Sequence, residues 1–284
     1  MSQNQELIQL DNTLWILTGA TGIPIYDFNF RSAFPCRQRE WGNTDVVTAV
    51  GRIGAFDDYA TQYAELLKEG IRLVNAPEEH LRASQLPGWY PLIENLTPRS
   101  QWYEEIPTVV QIESEFEWPV FIKGVRQTSR HQRKLSIVES ADDCRFVLKH
   151  YQADSILGWQ SLVVREYFPL RQVENPQADR IPSSFEFRTF WWHGAYVGAG
   201  RYWWEGQRYN WTESEKTDAL ELAAEAAKRV AVPFLVIDLA MTNEGNWTVI
   251  ECNDGQESGY AGASPIGIWQ NIIDLERASR RDCE

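Results

Sequence analysis

The chain has 284 residues, 43% of them hydrophobic, and 27 basic against 40 acidic side chains leave a net charge of −13. No apolar run is long enough to span a bilayer, and the polar stretch Met1–Leu10 lacks the basic and apolar segments of a signal peptide. The acidic balance argues against nucleic acid as the main partner, and Cys36, Cys144, Cys252 and Cys283, with no CxxC pair, fit a reducing cytoplasm better than a zinc or disulfide framework.

In chain order, LWILTG (14–19) reads as a strand ending in a glycine turn, and Val46–Val50 as a second. Asp57–Glu69 has helical spacing and stops at Gly70; Ile71–Val74 is a strand after it. Strands alternating with helices predict a small α/β lobe over residues 1–106. Leu86–Ile106, with Pro87, Pro91 and Pro98, is expected to be a connection without regular structure.

From residue 107 the pattern changes. Val120–Lys123 and Ser161–Phe168 are strands, and Leu170–Pro182 is expected to be a mobile loop. Phe185–Trp192 alternates, with Glu186 and Arg188 on one face, and Ala195–Tyr202 returns beside it. Thr212–Glu215 is a capping box opening a helix through Val230, whose apolar face runs Ala219, Leu222, Ala223, Ala226, Ala227, Val230. Strands, hairpins and a few helices predict an α+β body over 107–284.

The hairpin at 234–252 carries the chemistry. Phe234–Ala240 and Trp247–Cys252 flank the polar segment Thr242–Asn246, and each run holds an acid among apolar residues: Asp238 and Glu251. A two-residue turn centred on Glu244-Gly245 would set these two opposite each other, where like charges destabilise and unpaired burial costs more. Asn253 falls on the face of Glu251. Two carboxylates and an amide oxygen make the oxygen-rich set that magnesium prefers, with phosphates completing its shell. The plainer alternative is a solvent-facing hairpin edge.

Lys123 ends the apolar strand PVFIKG, where an ammonium needs an anion or a route to solvent. The basic stretch Arg126–Lys134 after it is a candidate phosphate lid. Arg188 either pairs with its neighbour Glu186 or offers a fork to a phosphoryl group. His131 and His193 belong to no nucleophile motif. The 13 tryptophans fit packing better than sugar or base stacking.

Taken in order, PVFIKG, LVVREYFPL, EFRTFWWHG and VIDLAM…WTVIECNDG resemble the ATP-grasp superfamily over about residues 107–275. The resemblance implies an ATP-grasp body with a hinge near 165–169, preceded by a pre-grasp lobe. It implies that Asp238, Glu251 and Asn253 ligate Mg2+, that Lys123 touches the nucleotide phosphates, and that Glu166, Tyr167 and Phe168 read adenine. Glu174 would contact the ribose, and Arg188 would face the phosphates or an acyl phosphate. The family's glycine-rich lid is replaced by the basic stretch, and Lys134 would stand in for a second phosphate lysine.

The implied reaction is ATP-dependent activation of a small-molecule or peptide carboxylate, followed by attack of an amine near Gly255–Gly262, a stretch expected to be flexible. Two alternatives stay open: a carbohydrate-active enzyme using the paired carboxylates, and a nucleotide-binding module without catalysis.

Overall fold

The computed structural model describes residues 5–22, 27–39, 45–125, 132–154, 161–173, 179–205 and 208–281. Its first hairpin starts in the stretch the sequence presents as merely polar. Strand β1 (Gln5–Leu10) turns into β2 (Leu14–Gly19) through Asp11 and Asn12 at φ 47° and 54°. Asp and Asn tolerate that left-handed backbone, which matches the twist of the flanking strands. After α1 (Phe30–Ala33), β3 (Cys36–Gln38) joins the outer edge of β1, while β4 (Val47–Arg52) and β5 (Ile71–Leu73) extend the sheet in parallel beyond β2. The crossover is α2 (Tyr59–Lys68), capped by the Asp58 carboxylate on Thr61 N and ended before Gly70.

The proline-rich connection is more regular than expected. Helices α3 (Pro77–Ser84) and α4 (Leu86–Ile93) precede a strand, β6 (Ser100–Tyr103). Pro77 and Pro87 occupy first turns, where a missing N–H costs little. Pro91 lies inside α4, yet Trp89 and Ile93 bury against α8 (Glu213–Val230), so packing overrides the local penalty.

Strand β6 pairs forward across the chain. With α5 (Val109–Glu113), β7 (Val120–Gly124), α6 (Arg133–Ser136), β8 (Ile137–Val138), α7 (Ala141–Ala153) and β9 (Leu162–Glu166) it builds an antiparallel sheet of order β6-β9-β7-β8. The third sheet holds β10 (Glu186–Trp192), β11 (Ala195–Arg201), β12 (Phe234–Met241) and β13 (Trp247–Asp254) in the order β11-β10-β12-β13, closed by α9 (Pro265–Arg281). Helix α8 follows its capping box: Thr212 Oγ1 accepts from Glu215 N at 3.2 Å, and the Glu215 carboxylate accepts from Thr212 N at 2.7 Å. Its buried stripe is Ala219, Ala223, Ala226, Ala227 and Val230. Val163 of β9 shares a core with Leu235, Ile237 and Leu239 of β12, which holds the last two sheets face to face.

The tryptophans mainly pack. Trp89 and Trp269 are fully buried, and Trp211 stacks on Phe187 at 3.9 Å. No helix among the described residues is long and apolar enough to cross a membrane.

Candidate active site between the two antiparallel sheets

Asp238 and Glu251 face each other, as the sequence pattern predicts, but by a different route. The loop closes with Thr242 N on Asn246 O and Gly245 N on Thr242 O, and Met241 pairs with Trp247 and Leu239 with Val249. That register alone would set Asp238 against Ile250. A β-bulge between Asp238 and Leu239 inserts Ile250 as the unpaired residue and brings Glu251 opposite Asp238. The Ile250 carbonyl, turned out of the ladder, accepts from Arg165 Nη1 at 2.7 Å. Without the bulge Glu251 would point to the opposite face, because a one-residue slip inverts every side chain beyond it.

Each acid is met by a cation. Arg188 sits directly across β10 from Asp238, and its Nε and Nη2 donate to the two carboxylate oxygens at 2.8 and 2.7 Å. Asp238 is 1% exposed. Burial opposes the Arg188 charge, but the facing carboxylate outweighs it and drives the guanidinium pKa up. Lys123, at the end of β7, donates to Glu251 Oε1 from the other sheet. Burial pushes the Glu251 carboxyl up, yet the Lys123 ammonium, then the Arg188 guanidinium and the Asn253 side chain, together hold it below the usual range. Of the two alternatives for Arg188, a hydrogen-bonded pair with its neighbour Glu186 does not form among the described residues. The cross-strand acid wins because the register aligns it with the fork.

Lys123, Glu166, Tyr167, Phe168, Asp238 and Glu251 all line one cavity between the sheets. Phe121, Ile137 and Ile250 give it apolar walls. Arg165 lines it too, held by Ser100 Oγ and Thr97 Oγ1 as well as the Ile250 carbonyl. Burial lowers its pKa to about 10. Asn253 stands two residues beyond Glu251 and hydrogen-bonds to it, though it is not among the cavity's lining residues. Lys134 lies exposed on α6, outside the lining. Glu174 and the lid residues Arg126–His131 fall outside the described residues.

Sequence reasoning missed Glu186 as a cavity residue. It lines the cavity, and Ser184 Oγ and Trp203 Nε1 both donate to its Oε2 at 2.9 and 3.0 Å. Burial, then the nearby Asp238 charge, pushes its pKa up to about 8. Its place beside Arg188 in the alternation was the available signal. The stretch Leu170–Pro182, expected to be a mobile loop, makes bridges at Leu170–Thr242 and Gln172–Ser184 and lines the cavity through Leu170, Gln172, Ile181 and Pro182; residues 174–178 are outside the described set.

Gly255–Gly262, expected to be flexible, is tied down. Arg52 Nη1 donates to the carbonyls of Gly255, Gln256 and Ser258 at 2.9, 3.0 and 2.8 Å, and Arg188 Nη1 to Gly259 O at 3.0 Å. Two buried guanidiniums, one from β4 and one from β10, satisfy four carbonyls that the loop itself cannot pair.

Among the described residues no group of three or more His, Cys, Asp or Glu is arranged to hold a metal ion. The oxygen set Asp238, Glu251 and Asn253 nonetheless fits a hard cation by its donor chemistry: two carboxylates and an amide on adjoining strands.

A family model described as an ATP-grasp domain, family 3 of its clade, matches residues 88–272, more than half of the chain. Similar solved structures include VanG D-Ala:D-Ser ligase from Enterococcus faecalis, 14% identical over 82% of this chain and 72% of that one, with a TM-score of 0.57. D-alanine–D-alanine ligase from Bacillus anthracis complexed with ATP is 13% identical over 83% and 80%, with a TM-score of 0.54. A RimK domain protein ATP-grasp from Sphaerobacter thermophilus is 14% identical over 82% and 79%, at 0.53. At these identities the likeness establishes the fold, which is the α+β ATP-grasp architecture expected from the motifs. No curated protein sequence matches the chain.

Proposed function

From the premise that this chain belongs to the ATP-grasp domain family, we propose that it is an ATP- and Mg2+-dependent ligase joining a carboxylate to an amine. One observation carries the reading: Lys123, Asp238, Glu251 and the hinge Glu166–Phe168, drawn from two sheets, line a single cavity. The division into a pre-grasp lobe, 1–106, and an ATP-grasp body, 107–284, belongs to the same proposal, with β6 reaching across it to pair with β9.

In this reading the backbone of Glu166–Phe168 reads adenine between Phe121 and Ile250. Glu174 is assigned the ribose contact, and Glu186 lines the cavity as a further acid. Lys123 binds the phosphates, and Arg188, which is not among the lining residues but is anchored on Asp238 and Gly259, adds positive charge behind the phosphoryl acceptor. Asp238, Glu251 and Asn253 would hold Mg2+, whose charge offsets that of the phosphates in transfer. Carboxylate oxygen attacks the γ-phosphorus, ADP leaves, and an amine then displaces phosphate from the acyl carbon. Tyr202, Trp203, Ile181 and Pro182 wall the cavity against water, which would otherwise hydrolyse the acyl phosphate. A carbohydrate-active reading is disfavoured because both carboxylates it needs are engaged by cations. The three described cysteines are free thiols, which suits the cytoplasm we assign.

Calorimetric titration with the non-hydrolysable analogue AMP-PNP and Mg2+ tests the reading. Binding by wild type that Mg2+ strengthens, with that Mg2+ dependence lost in folded Glu251→Gln, supports it and justifies screening acids and amines for ADP release. Failure of well-folded wild type to bind would overturn it.

A further inference from the structure

We propose that the Lys123–Glu251 ion pair is a latch that opens only for a divalent cation and a nucleoside triphosphate arriving as one complex. The inference rests on the nucleotide-site reading above and adds the form in which that site takes its ligands. Each side chain meant for one ligand is occupied by a side chain meant for the other. Lys123, the candidate phosphate ligand, is bound to Glu251, the candidate metal ligand.

The two ion pairs of the site are not equivalent. Arg188 is fixed at three points, two on Asp238 and one on Gly259 O, and its guanidinium lies 5.1 Å from the Tyr202 ring centre. A fork held this way has little freedom to turn. Lys123 makes its contact through one ammonium on a flexible four-carbon stem. Glu251 is the more exposed acid, its side chain 26% accessible against 1% for Asp238. Exchange therefore falls to Lys123 and Glu251, while Arg188 and Asp238 stay as the fixed frame.

Either ligand alone breaks the pair at a loss. Free nucleotide draws Lys123 away and leaves Glu251 facing both Asp238 and the triphosphate, three anionic groups against the two guanidiniums of Arg188 and Arg165 among the described residues. A free metal ion takes Glu251 and leaves the Lys123 side chain, 7% exposed, without the carboxylate it is hydrogen-bonded to, while the nearby Asp238 is already engaged by Arg188. The complex brings both charges together: Lys123 turns to phosphate and Glu251 to the metal, so no buried charge is left unpaired. Such linkage is a coupling free energy and must act equally in both directions.

The test is AMP-PNP titration in EDTA and in Mg2+ for wild type, Glu251→Gln, Lys123→Met and the double variant. With the latch, Glu251→Gln frees Lys123 and binds metal-free AMP-PNP about tenfold more tightly than wild type, within the range usual for coupled sites. In the Lys123→Met background the same substitution gives no gain, since the gain works through Lys123. Equal or weaker metal-free binding by Glu251→Gln overturns the latch. So does a gain that persists in the Lys123→Met background, which would reflect removal of a negative charge alone. If Glu251→Gln does not fold, the mirror variant decides: Lys123→Met should bind Mn2+ without nucleotide about tenfold more tightly than wild type, and equal affinity overturns the proposal. Wild type that fails to bind AMP-PNP even with Mg2+ sinks the ligase reading itself, a result distinct from failure of the latch.

Discussion

Arg188 and Asp238 lie directly opposite on β10 and β12 and close on each other through both carboxylate oxygens, at 2.8 and 2.7 Å, in a site where Asp238 is 1% exposed. The pair is costly to desolvate but far more costly to break, because either partner left alone is a buried charge.

Arg188→Met should therefore destabilise the fold by about 3–5 kcal/mol, and Arg188→Lys by less, since an ammonium keeps the charge but not the fork. Urea unfolding of both variants checks this. Equal stability of Arg188→Met and wild type would mean that Asp238 is protonated and needs no counter-ion.

Glu186 sets a pH dependence of stability. Its carboxyl is raised from 4.5 to about 8 by burial and by Asp238, so the folded chain holds a proton that the unfolded chain releases. Stability from this group is greatest below pH 4.5, falls as pH rises towards 8 with a slope of up to about 1.4 kcal/mol per unit, and is level above. Glu186→Gln lacks that titration. Its melting temperature relative to wild type should climb between pH 5 and pH 8 and then stay constant. A difference that does not change with pH would show that Glu186 titrates normally.

Arg52 is 2% exposed and holds three carbonyls of the loop after β13. Replacement by Met leaves those acceptors unpaired, at a cost of about 1–3 kcal/mol for each that finds no water. Amide hydrogen exchange across residues 255–260 should accelerate at least about tenfold, while exchange in α7 is unchanged. Uniform acceleration would point to global loosening instead.

Gly200 of β11 has no room for a side chain: a Cβ there would stand 1.9 Å from Ala263 N. Backbone cannot give way as a flexible side chain can, so Gly200→Ala should displace the segment 261–263 and cost at least about 3 kcal/mol. Gly194→Ala is the control for space, since its Cβ meets nothing within 4 Å, although its φ of 80° carries strain of about 1 kcal/mol. Thermal melts of the two variants should separate clearly. Equal loss would show that backbone strain, not contact, governs both.

Much of the site follows from periodicity within single elements. Alternation places Glu186 with Arg188 and Glu251 with Asn253, and the apolar flanks mark Asp238 and Glu251 as acids out of place. The capping box and the alanine stripe of α8 are likewise local facts. None of these says what a face will meet. Lys123 reaches an acid 128 residues away, and Arg188 prefers the acid across the ladder to the one beside it. The bulge at Ile250, which the alternating pattern conceals, decides that Glu251 points into the cleft at all. Residues 100–103, placed by their prolines in a connection, become a strand because β9 offers an open edge. Local sequence governs which side of a strand a residue occupies, because side-chain direction depends on two backbone angles. Which charge neutralises which depends on how three sheets stack, and that was decided by burial of apolar surface far from the charges themselves.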